Sequence, residues 1–295
     1  MTRTSRLLAL LLAAALLAGA CSSDVMRRLT GSDVGYSPAP WDAKDDEIDY
    51  GDRTCHQHKD ESEVLTCEFG DRDGDVHLVV VGDSMTEQYL PAMDAIGQER
   101  GWRITGMTKS ACPFMSGRLD ERRTQRNTSC EAWNAAAVER IRELRPDAVV
   151  NALYLMRGLD HETVRAGLAR SLSTLADAGI PAVLLDQAPR TREDVIECLE
   201  EDPEQPGRCA TPLADAQDPS KVWPAASSAW LLQRLGDRAR VVAVDDLLCD
   251  ADGCPVVDQG VLRYRDDHHL TATFVRSVAP RLGDRIAQAL AAVGG

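Results

Sequence analysis

Gly82-Asp83-Ser84 stands at the end of an apolar run, and Asp266-x-x-His269 stands within Tyr264-Arg-Asp-Asp-His-His-Leu-Thr271. A serine hydroxyl becomes an effective nucleophile when an imidazole takes its proton, and a carboxylate on the far ring nitrogen fixes the tautomer and stabilises the imidazolium. Asp266 lies three residues before His269, a spacing that can fold its carboxylate back onto that ring. Six histidines are present. His56 and His58 fall between two cysteines, His77 in an apolar run and His161 at a helix start, which leaves His268 and His269 as partners for a serine. Either group alone has a plain structural reading, because Asp and Ser are common helix N-caps. Together they point to acyl-transfer chemistry, with Ser84 as nucleophile, His269 as base and Asp266 orienting the base. The Gly-x-Ser-x-Gly elbow is not the frame, since Thr86 occupies the place of its second Gly.

Such groups need a scaffold that brings distant segments to one edge. Residues 76–81, VHLVVV, form a short β-branched run that predicts a buried strand. Gly82 lets the chain turn sharply there, and Ser84 then opens a helix with its backbone N–H facing an incoming oxyanion. Further strands are predicted at 102–107, 148–153, 181–186 and 240–245, and helices at 86–100, 131–144, 161–178, 223–235 and 271–292. Strands alternating with helices imply a doubly wound α/β fold with a five-stranded parallel sheet, in one domain with cysteine-bearing loops. Reactive groups of such sheets gather beyond the carboxyl ends of the strands, where Ser84 falls.

Residues 1–20 read as a signal peptide, with Arg3 and Arg6 ahead of a charge-free apolar run too short to span a bilayer comfortably. Small residues before Cys21 suit lipid attachment there, although Ala18 stands where Leu is more usual and Ala18-x-Ala20 also suits simple secretion. Nine cysteines become eight once Cys21 is set aside, an even number for an oxidising compartment. Their spacing favours neighbour pairs, Cys55 with Cys67, Cys112 with Cys130, Cys198 with Cys209 and Cys249 with Cys254, though the connectivity is not fixed by sequence. No Cys-x-x-Cys pair supports zinc. Asp71-x-Asp73-x-Asp75 opens like a calcium loop, but its remaining positions run into the apolar strand, so neither metal nor cofactor is expected. The formal charge of −14 excludes a nucleic-acid binder and a basic lipid-docking surface. Residues 21–50 lack helical or strand periodicity and read as a tether, leaving 51–295 as the catalytic domain.

The ordered blocks resemble those of the SGNH hydrolases, with Gly-Asp-Ser first and Asp-x-x-His last. The resemblance is closer to the extracytoplasmic SGNH domain fused to, or working beside, membrane acyltransferases of the acyltransferase-3 family. It covers roughly residues 55–290 through Cys67-Glu-Phe-Gly-Asp71, Thr108-Lys-Ser-Ala-Cys-Pro-Phe114, Cys130 with Trp133, Arg145-Pro-Asp-Ala-Val-Val150, Asp186-Gln-Ala-Pro-Arg190 and Asp266-x-x-His269-Leu-Thr. The resemblance implies an oxyanion hole made by the Ser84 N–H and an N–H of the 109–111 stretch, taken at Ala111. The superfamily also uses an Asn after the third strand, for which Asn151 is the candidate, with local backbone pairing inside a strand as its alternative.

By the same resemblance the chain moves O-acyl groups, acetyl above all, on an envelope carbohydrate or glycolipid through an acyl-Ser84 intermediate. Relatives often carry His after the Ser, where Met85 stands here. This sequence holds no multi-helix membrane domain, so the expectation is a separate membrane acyl donor as partner, or a stand-alone O-acyl esterase as the alternative. An inactive glycan-binding module is a third reading, which the intact Ser84, Asp266 and His269 oppose. The expected location is the outer face of the cell membrane as a lipoprotein, or secreted.

Overall fold

Runs of β-branched residues with no polar alternation can be stable only when both faces of a strand are covered. In the computed structural model this holds for four of the five predicted strands, while the last, at 239–242, lies at the sheet's edge with Arg240 and Val241 half-buried. The structure describes residues 34–51, 54–119, 124–192, 195–218 and 220–293; the expected leader and Cys21 lie outside them. Its strands are β1 (His56–Gln57), β2 (Cys67–Gly70), β3 (Val76–Gly82), β4 (Trp102–Lys109), β5 (Ala148–Ala152), β6 (Ala182–Leu185), β7 (Ala239–Val242), β8 (Val257–Asp258) and β9 (Val261–Leu262). Its α-helices are α1 (Ser84–Glu87), α2 (Leu90–Arg100), α3 (Gln125–Leu144), α4 (His161–Asp177), α5 (Val195–Glu201), α6 (Leu213–Ala216), α7 (Ala225–Leu235), α8 (Ala272–Ser277) and α9 (Ala279–Val293).

The main sheet has seven strands rather than five, in the order β1-β4-β3-β5-β6-β7, with β2 also paired to β4. Its five long strands are parallel and correspond to the predicted ones. The additional two are β1, two residues long and parallel to β4, and β2, antiparallel to β4, whose Cys-Glu-Phe-Gly lacks a continuous apolar run. Alternate strand residues face two helical layers. Val79, Val81, Val149 and Leu184 join Trp133, Leu168, Leu172 and Leu231 in one core on the α3, α4 and α7 side. Leu78, Val80, Val150 and Val183 are buried as well, and α2, α8 and α9 pack together on the sheet's other side. The predicted final helix is broken at Val278, because Pro280 has no N–H to continue the ladder. The same rule splits the predicted 86–100 helix, where Pro91 stands in the first turn of α2.

Disulfides join Cys55 to Cys67, Cys112 to Cys130, Cys198 to Cys209 and Cys249 to Cys254. Cys130 lies inside α3, which starts six residues earlier than the predicted helix because Thr124 caps the Asn127 N–H. Asp71, the first residue of the calcium-like run, instead accepts the Asp73 N–H in a turn. No helix among the described residues is long and apolar enough to cross a membrane.

Residues 37–50, read from sequence as tether, belong to the same compact unit as the domain. Ser37 exchanges backbone hydrogen bonds with Gly260 and Leu262. Asp46 accepts the Ala272 N–H at its backbone carbonyl and the Thr273 N–H at its carboxylate, closing the start of α8. Tyr50 donates to Glu87 at 2.7 Å. This segment is held by backbone and acidic groups rather than an apolar stripe, so its sequence carries no periodicity.

Candidate active site

Strand register does the first part of the assembly. Gly82 of β3 lies opposite Thr108 of β4, and Val80 lies opposite Val150 of β5, so Ser84 emerges between the 108–111 turn and the end of β5. Counting only the five long parallel strands, β3 is the first, flanked by the second and the third, which is a topological switch point. A side chain at residue 82 would collide with Thr86 and come within 2.8 Å of the Asn151 amide nitrogen, so the position requires Gly. Asp83 then caps α1, accepting the Met85 N–H at 3.0 Å.

The C-terminal block arrives from the other direction. Tyr264 and Leu270 form an isolated bridge, and the Arg265 N–H reaches the His269 carbonyl at 3.0 Å, so residues 265–269 make a tight loop. The Leu270 N–H donates to Gln88 Oε1 at 2.7 Å, fastening the loop to the segment just after α1. His269 Nε2 thereby sits 2.9 Å from Ser84 Oγ, and its Nδ1 sits 2.7 Å from Asp266 Oδ2. Asp266 Oδ1 also accepts the backbone N–H groups of His268 and His269 at 2.8 and 2.7 Å. Burial opposes its ionisation, but these N–H groups and the His269 ring outweigh that and hold the carboxyl well below the usual range. Asp266 is therefore a fixed anion against the ring. Atoms of Asp266, His268 and His269 converge closely enough to suggest a metal site. We read them otherwise, because both His269 ring nitrogens are already engaged, by Asp266 and Ser84.

His268 packs beside this pair: its Nδ1 meets Asp267 at 2.6 Å and lies 3.3 Å from Asp266 Oδ1, and its ring is 4.0 Å from the His269 ring and stacks with Tyr154. Arg190 is 4 % exposed, not a surface residue; it contacts the Tyr154 hydroxyl and lies 3.4 Å from Asp267. With the Thr191 N–H bonded to the Asp267 carbonyl at 3.2 Å, the 186–191 segment braces the histidine loop.

The oxyanion donors named from sequence divide. Ala111 has a φ of +51°, a left-handed conformation that costs a non-glycine residue about 1 kcal/mol or more. Among the described residues, neither its N–H nor that of Ser84 has a hydrogen-bond acceptor in the protein, while Arg126 holds the Ala111 carbonyl at 2.9 Å. Both N–H groups are thus free of protein partners among the described residues, on the turn after β4 and at the start of α1. Asn151 is buried, and its amide serves the Val81 carbonyl at 2.8 Å, the backbone-pairing alternative. Sequence reasoning passed over His56, Glu87 and Tyr50, which form a polar array close by; no motif marks them.

Asp83 is also fully enclosed, and burial pushes its carboxyl up to about 6, against the Met85 N–H and the attraction of His269. Its folded pKa lies above the ordinary unfolded value near 4, so the folded state binds more protons between about pH 4 and 6, and the contribution of Asp83 to stability falls as pH rises through that window. Asp83→Asn keeps an oxygen for the Met85 N–H without the charge. Its stability relative to wild type should increase by roughly 1–3 kcal/mol between about pH 4 and pH 7. Urea melts across that range are the check, and a constant difference would refute it.

Fold and site define a serine-dependent enzyme of acyl transfer or ester hydrolysis on a doubly wound α/β sheet. The SGNH domain found fused to AT3 domains matches residues 54–284, and the chain belongs to that family. Among solved structures it is similar to the periplasmic domain of a lipopolysaccharide acetyltransferase from Salmonella ser. Paratyphi A, at 17 % identity and TM-score 0.52 over 74 % of this chain and 85 % of that one. It is also similar to a putative acylhydrolase from Bacteroides fragilis (14 %, TM-score 0.40, 76 % and 89 % covered) and to a mutant acetyl-xylooligosaccharide esterase from Geobacillus (11 %, TM-score 0.38, 76 % and 97 % covered). No curated protein sequence matches the chain.

Proposed function

We propose that the protein transfers an O-acyl group, acetyl above all, to a hydroxyl of an envelope carbohydrate or glycolipid, taking it from a separate membrane acyltransferase-3 partner. The observation that carries this reading is the unbroken Ser84–His269–Asp266 hydrogen-bond chain in a member of a family whose domains occur fused to AT3 domains. His269 removes the Ser84 proton as Oγ attacks the donor carbonyl. The resulting oxyanion is met by the Ser84 and Ala111 N–H groups, and the imidazolium by Asp266. Collapse expels the donor's leaving group, which takes the proton from His269, and leaves acyl-Ser84. An acceptor hydroxyl then gives its proton to His269 and attacks that ester; collapse returns the proton to Ser84 Oγ and frees the acylated glycan.

The disulfides and the lipopolysaccharide-acetyltransferase neighbour support a place outside the cytoplasm, with Cys21 as the proposed lipid anchor.

Stand-alone O-acyl esterase is the second reading, since water can replace the acceptor at acyl-Ser84. Product analysis by mass spectrometry separates the two. With an activated acetyl ester and an envelope oligosaccharide, acetylated sugar is expected, rising with acceptor concentration. Free acetate alone at every acceptor concentration, with deacetylation of pre-acetylated glycan, would establish the esterase instead.

A further inference from the structure

The Cys55–Cys67 loop sets a second polar array against the first. His56 lies on the edge strand β1, in register with Thr108. Its Nε2 is 2.8 Å from Ser110 Oγ, and its Nδ1 is 2.9 Å from Thr108 Oγ1 and 3.4 Å from Glu87 Oε2. The Tyr50 hydroxyl donates to the other Glu87 oxygen at 2.7 Å. The side chains of His56 and Glu87 are 16 % and 10 % exposed. Glu87 ends the helix that Ser84 begins, and Ser110 immediately precedes Ala111. A continuous chain of contacts therefore joins the nucleophile helix to the oxyanion turn.

Ser110–His56–Glu87 has the outline of another serine-histidine-carboxylate triad, so a second nucleophile must be weighed. Burial draws the His56 ring down to about 4, with the positive charges of His269, Arg265 and Lys109 adding to the effect. Such a ring is a proton acceptor roughly a hundredfold or more weaker than an ordinary imidazole, a poor base for activating Ser110. It is well suited to being a neutral link. One nitrogen donates and the other accepts, and the Ser110 and Thr108 hydroxyls can satisfy either tautomer. Lys109, wholly buried, pins the same loop by donating to the His58 and Glu61 carbonyls, each at 2.6 Å.

We infer that His56 is a positioning residue of the oxyanion site, tying Ser110, and with it the Ala111 N–H, to the helix that carries the Ser84 N–H. Two donors on separate elements must converge on one oxygen, and small displacements are costly to rate. The inference rests on the reading of Ser84 as nucleophile and of Ala111 as its partner donor.

The test uses the full chain with nitrophenyl acetate. His56→Ala should lower kcat about ten- to hundredfold while KM stays within about twofold. Affinity for a boronic acid that mimics the tetrahedral state should fall by the same factor as kcat/KM, a correspondence that general loosening of the fold would not produce. Ser110→Ala cuts the same link and should match it, and the double variant should be no worse than either single one. His58→Ala, in the same loop with its side chain 63 % exposed, should leave the rates unchanged. Wild-type kcat in His56→Ala or Ser110→Ala, or losses that multiply in the double variant, would overturn the inference. If His56→Ala does not fold, Ser110→Ala and its boronate affinity decide the matter alone. Ser84→Ala in parallel separates the levels: turnover retained there removes the underlying site, whereas an inactive Ser84→Ala beside a fully active His56→Ala removes only this inference.

Discussion

Ser84→Ala is expected to lower ester turnover by about four to six orders of magnitude and to abolish covalent labelling by an activated phosphonate. The size follows from the proposed mechanism, in which the hydroxyl forms the acyl bond and the imidazole 2.9 Å away takes its proton. Folding should be unaffected. Among the described residues the Ser84 hydroxyl is hydrogen-bonded to His269 alone, and α1 is capped by Asp83, which remains. Thermal melting within a degree or two of wild type, together with lost turnover, is the expected pair of results. A folded Ser84→Ala protein that hydrolyses nitrophenyl acetate at the wild-type rate would show that the chemistry lies elsewhere.

The second large effect separates two adjacent histidines. His269→Ala should cost about three to five orders of magnitude in kcat, because in the proposed mechanism the base and acid roles of both half-reactions pass through its Nε2. His268→Ala should cost about tenfold or less, since its ring packs against Asp267, Tyr154 and the edge of the Asp266–His269 pair and makes no hydrogen bond to the serine among the described residues. Its backbone N–H, which helps hold Asp266, is retained in the variant. Steady-state kinetics of both proteins on one ester make the comparison. The reverse ranking would move the base by one residue and break the Ser84–His269–Asp266 assignment.

The candidate catalytic residues were legible because each is carried by a local pattern. Gly82-Asp83-Ser84 follows an apolar run that must be a strand, and Asp266 precedes His269 at a spacing that a tight loop can close. The five long strands were legible for the same reason: buried parallel strands need continuous apolar sequence. Shorter elements were not. His56-Gln57 of β1 and Cys67-Glu68-Phe69-Gly70 of β2 become strands through pairing with β4, and nothing in their own residues demands it. Likewise residues 37–50 join the domain through Asp46 on α8 and Tyr50 on Glu87, contacts between segments far apart in the chain.

Sequence by itself determined which residues could react and which runs had to be buried, because reactivity belongs to side-chain type and burial to local hydropathy. The tertiary structure decided how the polar groups are shared. It turned Asn151 toward the Val81 carbonyl, buried Arg190 behind the histidine loop and set Ala111 at positive φ. It also placed His56 between Glu87 and Ser110. Hydrogen-bond partners drawn from different strands are fixed by register and loop closure, and those constraints leave no period in the sequence of either partner.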